Sequence, residues 1–150
     1  MERREEGRRV VARAITFIDN QILLIERYKK EKGELLHYFT IPGGGVEDTE
    51  SFEEAAIRET KEETCCNVTI EKKLIKEDYP NGRCYWFYAK YKSGTPTLGG
   101  EELERNNPNN SYKVVLIDYK DIDSINILGE GKRLIKECYT RYYCNKEEGK

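Results

Sequence analysis

The run from Ile41 to Cys66, IPGGGVEDTESFEEAAIRETKEETCC, limits what this chain can become more than any other stretch. Pro42 and the glycines Gly43, Gly44 and Gly45 punctuate a turn, and glycine there lets backbone come close to a phosphate. Ser51 followed three residues later by Glu54 has capping-box spacing, and no glycine or proline interrupts Phe52 to Thr64. The pattern predicts a helix over that span. On such a helix Glu59 neighbours both Glu62 and Glu63, and each like-charge pair costs about 0.2–0.5 kcal/mol in isolation. The acids also crowd the last turns, where the helix dipole favours cations. A hard divalent cation reverses that argument, because carboxylate oxygens placed around it are all attracted to one centre. A plain solvated helix face, with Glu54 and Arg58 as an i,i+4 pair, is the competing reading of the same residues.

The joint spacing goes further. Gly44, five residues, Glu50, seven residues, then Arg58 and Glu59 followed by Glu62 and Glu63, resembles the Nudix box, G-x5-E-x7-R-E-U-x-E-E-x-G-U, where U is bulky aliphatic. These residues fall on its fixed glycine and polar positions. Three positions depart from it: Thr60 and Cys66 stand where aliphatic residues are usual, and Cys65 replaces the glycine that ends the helix. The departures touch packing and capping, not the carboxylates.

The resemblance implies an α/β fold, a Nudix-type α/β/α sandwich with a central mixed β-sheet, the box lying at the mouth of the sheet. It implies Mg²⁺ or Mn²⁺ as cofactor, with Glu59 and Glu63 as principal metal ligands and Glu62 as a further ligand or water-activating base. Arg58 and Glu50 would pair and hold the helix against its loop. Gly44 would shape that loop, and Gly43 and Gly45 would give phosphate access. The implied reaction is hydrolysis of a phosphoanhydride bond in a nucleoside diphosphate linked to another group. Three readings stay open within it. One is MutT-like conversion of a nucleoside triphosphate, ordinary or oxidised, to monophosphate and pyrophosphate. Another is hydrolysis of ADP-ribose or a nucleoside diphosphate sugar, and the third is a non-catalytic nucleotide-binding module. A silent module would be expected to lose box acids, and all of them are present.

At 150 residues the chain is expected to form a single domain, 1–150, large enough to bury a core. Charged residues make up 36%, but their signs nearly cancel at a net −2, so no strong field for a membrane or long nucleic acid follows. The opening MERREEGRR is too charged for a signal peptide, and no apolar run reaches membrane-spanning length. Cys65, Cys66, Cys84, Cys138 and Cys144 lack paired CxxC spacing, which favours free thiols in a reducing cytoplasm over disulfides or a zinc site. The expected partner is a small nucleotide, and a homodimer is compatible with these features.

Along the chain, 1–9 reads as a frayed lead-in, and Val10–Ile18 and Gln21–Arg27 as a hairpin about Asp19-Asn20. A polar loop is expected over Tyr28–Glu34, then a strand over Leu35–Ile41 carrying His37, the only histidine, read as a partly exposed strand residue. Beyond the helix, Val68–Lys76 and Arg83–Tyr91 read as strands about a turn. The consecutive Tyr85, Trp86, Phe87 and Tyr88 point to burial on both faces, with base stacking as a second use. Ser93–Tyr112 is the longest irregular stretch, and its Glu101, Glu102 and Glu104 are candidates for an added metal-site carboxylate. Lys113–Tyr119 reads as a strand, Asp121–Leu128 as a connector, Glu130–Tyr143 as a helix and 145–150 as a frayed tail.

Overall fold

The computed structural model describes residues 1–144, with all side chains except those of Glu101 and Glu102. In chain order the elements are β1 (Arg4–Glu5), β2 (Arg8–Ile18), β3 (Gln21–Glu31), β4 (Glu34–Thr40), β5 (Gly43–Gly45), α1 (Phe52–Thr64), β6 (Asn67–Tyr79), β7 (Gly82–Ser93), α2 (Gly100–Arg105), β8 (Asn110–Asp118) and α3 (Gly131–Cys138). A 3₁₀ turn over Tyr119–Ser124 precedes α3, and a π-helical turn over Tyr139–Tyr143 follows it.

The period-2 pattern of β2 organises the two layers. Val10, Ala12 and Ala14 pack with Ala55 and Ala56 of α1 and with Phe87. Val11, Ile15 and Phe17 pack on the opposite face with Trp86 and with Leu134, Ile135 and Cys138 of α3. Helices therefore cover both faces, giving an α/β/α sandwich. The sheet is mixed, since β2 runs parallel to β7 while its other pairings are antiparallel.

The sheet opens between β2 and β3. They pair only at Phe17–Ile22 and Ile18–Gln21, beside a turn in which Asp19 and Asn20 both have positive φ, 50° and 64°. Farther from that turn β3 pairs with β4, from Ile25–Thr40 to Glu31–Glu34, and β2 pairs with β5, from Val11–Gly45 to Arg13–Gly43. The chain crosses from one half to the other between Thr40 and Gly43, so the glycine turn sits in the mouth of the opening. On its remaining edge β3 pairs with β8, Gln21–Asp118 through Lys29–Asn110.

Several expected boundaries move, for reasons of pairing. The lead-in 1–9 is not frayed: β1 folds back on β2, and the Arg3 N–H donates to Val46 O at 2.6 Å. Tyr28 to Glu31 is not a loop but the end of β3, because β4 and β8 satisfy its backbone from both sides, and Lys32 and Gly33 make the turn. The irregular stretch is shortened at both ends and contains α2, with β8 starting at Asn110. The terminal helix stops being α-helical at Cys138. The expected tail 145–150 lies outside the described residues.

Candidate active site

The carboxylate row is aimed by how α1 begins and ends. Ser51 Oγ accepts from the Glu54 N–H at 3.0 Å, and Glu54 Oε1 accepts from the Ser51 N–H at 2.8 Å. At the other end Cys65 is left-handed, φ 63°, and its N–H donates to Lys61 O at 2.9 Å. With both ends set and Ala55 and Ala56 buried, the face bearing Glu59, Glu62 and Glu63 turns toward the opening of the sheet.

Arg58 ties the helix to the glycine loop. Its Nη2 and Nε donate to both Glu50 oxygens at 2.5 and 3.0 Å, and Nη2 also reaches Gly45 O at 2.9 Å. Its Nη1 donates to Glu59 Oε1 at 2.8 Å and to Glu62 Oε2 at 3.2 Å. This fork, chiefly through its bonds to Glu50, holds the Arg58 pKa above its ordinary value, and the same guanidinium holds the Glu50 carboxyl below its own. Glu50 is anchored further by the Glu47 N–H at 2.9 Å. Arg3 donates to the Glu50 carbonyl at 2.6 Å from the N-terminal hairpin.

Glycine in β5 answers to crowding. A Cβ on Gly44 would lie 2.5 Å from Glu59 Oε2, and one on Gly43 would lie 2.2 Å from Ala12 O. The Gly43 N–H, freed for a side chain, donates to Glu63 Oε1 at 2.9 Å. Glu63 is therefore 7% exposed while Glu62 reaches into solvent.

These groups line a cleft of about 540 Å³ that also contains residues not singled out in the sequence. Arg9 and Arg13 come from β2, Arg27 from β3, Arg105 from α2 and Tyr112 from β8. Arg27 and Tyr112 are register partners, which no local pattern could have announced. Glu104 and His37 do not line the cleft; His37 stacks on Tyr28 at 4.1 Å and meets Glu26 at 2.7 Å. Glu101 and Glu102, whose side chains lie outside the described residues, add nothing to this picture. Of the aromatic run, Phe87 and Tyr88 are core and Tyr85 stacks on Phe52 at 3.8 Å. Trp86 is core as well, and it borders a second, mainly apolar pocket of about 360 Å³ with Tyr79, Cys84 and Leu128, which shares Arg13 and Thr40 with the cleft.

A profile of the NUDIX domain matches residues 7–122, spanning the sheet, α1 and the glycine loop. The chain belongs to the NUDIX family. Nudix hydrolase 21, chloroplastic, of Arabidopsis thaliana is 46% identical over 63 residues, 42% of this chain and 29% of that protein. The matched part is thus less than a third of that relative's length. A hydrolase of the NUDIX family from Clostridium perfringens superposes with a TM-score of 0.67 at 17% identity, covering 90% of this chain and 98% of that one. A NUDIX hydrolase from Nitrosomonas europaea gives 0.64 at 18% identity, over 93% and 90%.

Nudix hydrolases generally use divalent metals, and the donor chemistry here suits a hard cation. Glu59, Glu62 and Glu63 offer carboxylate oxygens to one cleft, and the missing Gly44 side chain leaves room for Glu59. Among the described residues no three acidic, histidine or cysteine side chains converge closely enough to hold an ion as they stand.

Proposed function

We propose that this chain is a metal-dependent pyrophosphohydrolase that cleaves a phosphoanhydride bond in a nucleoside triphosphate, ordinary or oxidised, giving monophosphate and pyrophosphate. The observation that carries this reading is that Glu59, Glu62 and Glu63 line one cleft together with Arg9, Arg13, Arg27 and Arg105. Glu59, Glu62 and Glu63 would hold Mg²⁺ or Mn²⁺, which when bound neutralises phosphate charge and favours attack by water. The chain's own part is to place those acids. Gly43 fixes Glu63, the absence of a Cβ at Gly44 admits Glu59, and Arg58 with Glu50 locks the helix to the loop. The Trp86 pocket, opening beside the cleft, offers an apolar seat for a base.

Thiol chemistry is a poor rival. Burial pushes the Cys84 and Cys138 thiols up to about 12, so neither is a thiolate at neutral pH. All five cysteines are free, which fits a reducing compartment such as the cytoplasm. Among the described residues no helix is long and apolar enough to cross a membrane.

The test is product identification by chromatography on 8-oxo-dGTP, ordinary dNTPs, ADP-ribose, nucleoside diphosphate sugars and a dinucleoside polyphosphate, with Mg²⁺, Mn²⁺ or chelator. The expected result is metal-dependent monophosphate and pyrophosphate from a triphosphate. Cleavage of ADP-ribose alone would overturn the substrate assignment. Silence across the panel from a folded protein that binds nucleotide would favour a binding module.

A further inference from the structure

We propose that Arg3 is a positioning residue for the acids of α1: from a segment ahead of the residues matched to the NUDIX domain, it fixes the peptide from which the Glu50–Arg58 tie is aimed. The matched region starts at residue 7. Arg3 Nη2 donates to Glu50 O at 2.6 Å and to Asp48 O at 3.2 Å. The Glu50 carbonyl belongs to the same peptide as the Ser51 N–H, which donates to Glu54 Oε1 at 2.8 Å. Arg3 thus grips one edge of that peptide and the capping box grips the other. The Glu50 carboxylate leaves the same backbone to meet Nε and Nη2 of Arg58, whose Nη1 reaches Glu59 and Glu62. Arg3 does not line the cleft, so it acts through Glu50.

Arg3 differs from an ordinary surface arginine in being held from behind. Its N–H donates to Val46 O at 2.6 Å, and its carbonyl accepts from the Val10 N–H at 3.3 Å. Its guanidinium lies over the Phe52 ring, 4.9 Å from the centroid, and Phe52 stacks on Tyr85. The Tyr85 hydroxyl donates to Glu5 Oε1 at 2.6 Å, and Arg83 holds both Glu5 and Glu6. The contacts close a circuit from Arg3 through Phe52, Tyr85 and Glu5 back to the segment that carries Arg3. A guanidinium confined between an aromatic face and backbone loses little freedom when it donates, and its charge strengthens each bond to a carbonyl. Residues 46–51 belong to no helix or strand, so bonds of this kind, rather than a ladder, set the shape of the loop bearing Glu50.

The effect on turnover rests on the hydrolase reading and the mechanical coupling does not, so the two can fail separately. Proton exchange is followed by NMR on the full chain at the Arg58 Nε–H and the Glu47 N–H, both donors to the Glu50 carboxylate. Tm, and kcat and KM with Mg²⁺ on the substrate panel, are measured beside it. Arg3→Met should speed exchange at both donors by about tenfold or more and lower kcat by a similar factor, with KM and Tm nearly unchanged. Arg3→Lys, which keeps the charge but not the fork, should lie between. Arg4→Gln is the control, because Arg4 Nη1 donates to Gly7 O within its own turn, and it should match wild type. Exchange unchanged at both donors in folded Arg3→Met, a parent kcat in that variant, or an equal effect of Arg4→Gln would overturn the inference. So would a lowered Tm with faster exchange throughout the sheet, the mark of a merely structural role. If Arg3→Met unfolds, Arg3→Lys carries the test, and no acceleration at either donor would overturn it. Faster exchange in a protein that hydrolyses nothing on the panel would leave the coupling standing and fell the hydrolase reading.

Discussion

Arg58 and Arg27 line the same cleft and are held by opposite means. Arg58 meets Glu50, Glu59 and Glu62, three carboxylates, as well as the Gly45 carbonyl. Arg27 meets a carbonyl, an amide oxygen and the rings of Tyr112 and Tyr38. The first arrangement has its charge satisfied internally, and its effect is to fix the acidic helix on its loop. The second keeps a net positive charge at the surface of the cleft, stabilised in position but not neutralised. A desolvated cation without a counter-ion is unfavourable in the unliganded protein, and an anionic ligand relieves it.

The comparison breaks most sharply if the acidic wall is not the reacting one. Glu63→Gln keeps an oxygen to accept the Gly43 N–H but removes the charge, so the loop should stay in place. Metal-dependent turnover should fall by about 100-fold or more while melting temperature changes little. Steady-state assays with Mg²⁺ check this, and a parent-like rate would remove Glu63 from the metal set.

The Arg58–Glu50 tie makes a second, smaller prediction. The Glu50 carboxyl is held below its ordinary pKa by Arg58, so its folded value is depressed. Its contribution to stability is complete above the unfolded value of about 4.3, shrinks as pH falls below that, and is gone once pH is below the folded value. Wild type should therefore be more stable than Glu50→Gln near neutrality, and the gap in melting temperature should close on acidification. A gap that is constant with pH would show that Glu50 acts through shape and not through its charge pair with Arg58.

How far these features could be read from residue order follows from how local they are. Helix α1, with its Ser51–Glu54 box and its end at Cys65, is settled by side chains within a few residues of the backbone groups they satisfy. The glycine turn and the acids of α1 are legible for the same reason. The cationic side is not local. Arg27 acquires its position in the cleft from Tyr38 and Tyr112, which reach it only when β4 and β8 pair with β3. The N-terminal hairpin is not legible in the sequence because its charged residues carry the pattern of a solvated segment. Here Arg83, on β7, holds Glu5 and Glu6 in ion pairs that no sequence window contains. Strand β3 overruns its apolar run because cross-strand hydrogen bonds, not side-chain burial, continue it.

Thr60 within α1 and Cys65 at its C-cap, both departures from the Nudix pattern, separate stability from chemistry on the acidic helix. Thr60 is fully buried, and its hydroxyl has no hydrogen-bond partner among the described residues. An unsatisfied buried hydroxyl is unfavourable, so Thr60→Val should stabilise by about 1 kcal/mol, roughly 3 °C in Tm, with activity unchanged. Calorimetry checks it; a destabilised variant would mean that the hydroxyl finds a partner in solution.

Cys65→Gly should have the smallest effect, because two terms oppose each other. Glycine relieves the strain of a left-handed φ of 63° at the helix end, by about 1 kcal/mol. Against this, glycine gives the unfolded chain more freedom, about 0.4–1 kcal/mol, and removes a sulfur close to Gly99. The net should lie between zero and about 1 kcal/mol in favour of glycine, read as a small rise or no change in Tm. A clear fall would place the stabilising interaction in the contact of the Cys65 sulfur with the segment before α2 rather than in the backbone cap. Since Gly99 and Gly100 also pack against the Glu62 carbonyl, and the Gly99 N–H donates to Glu63 O at 3.0 Å, that outcome would make the sulfur part of the seam between the end of the acidic helix and α2.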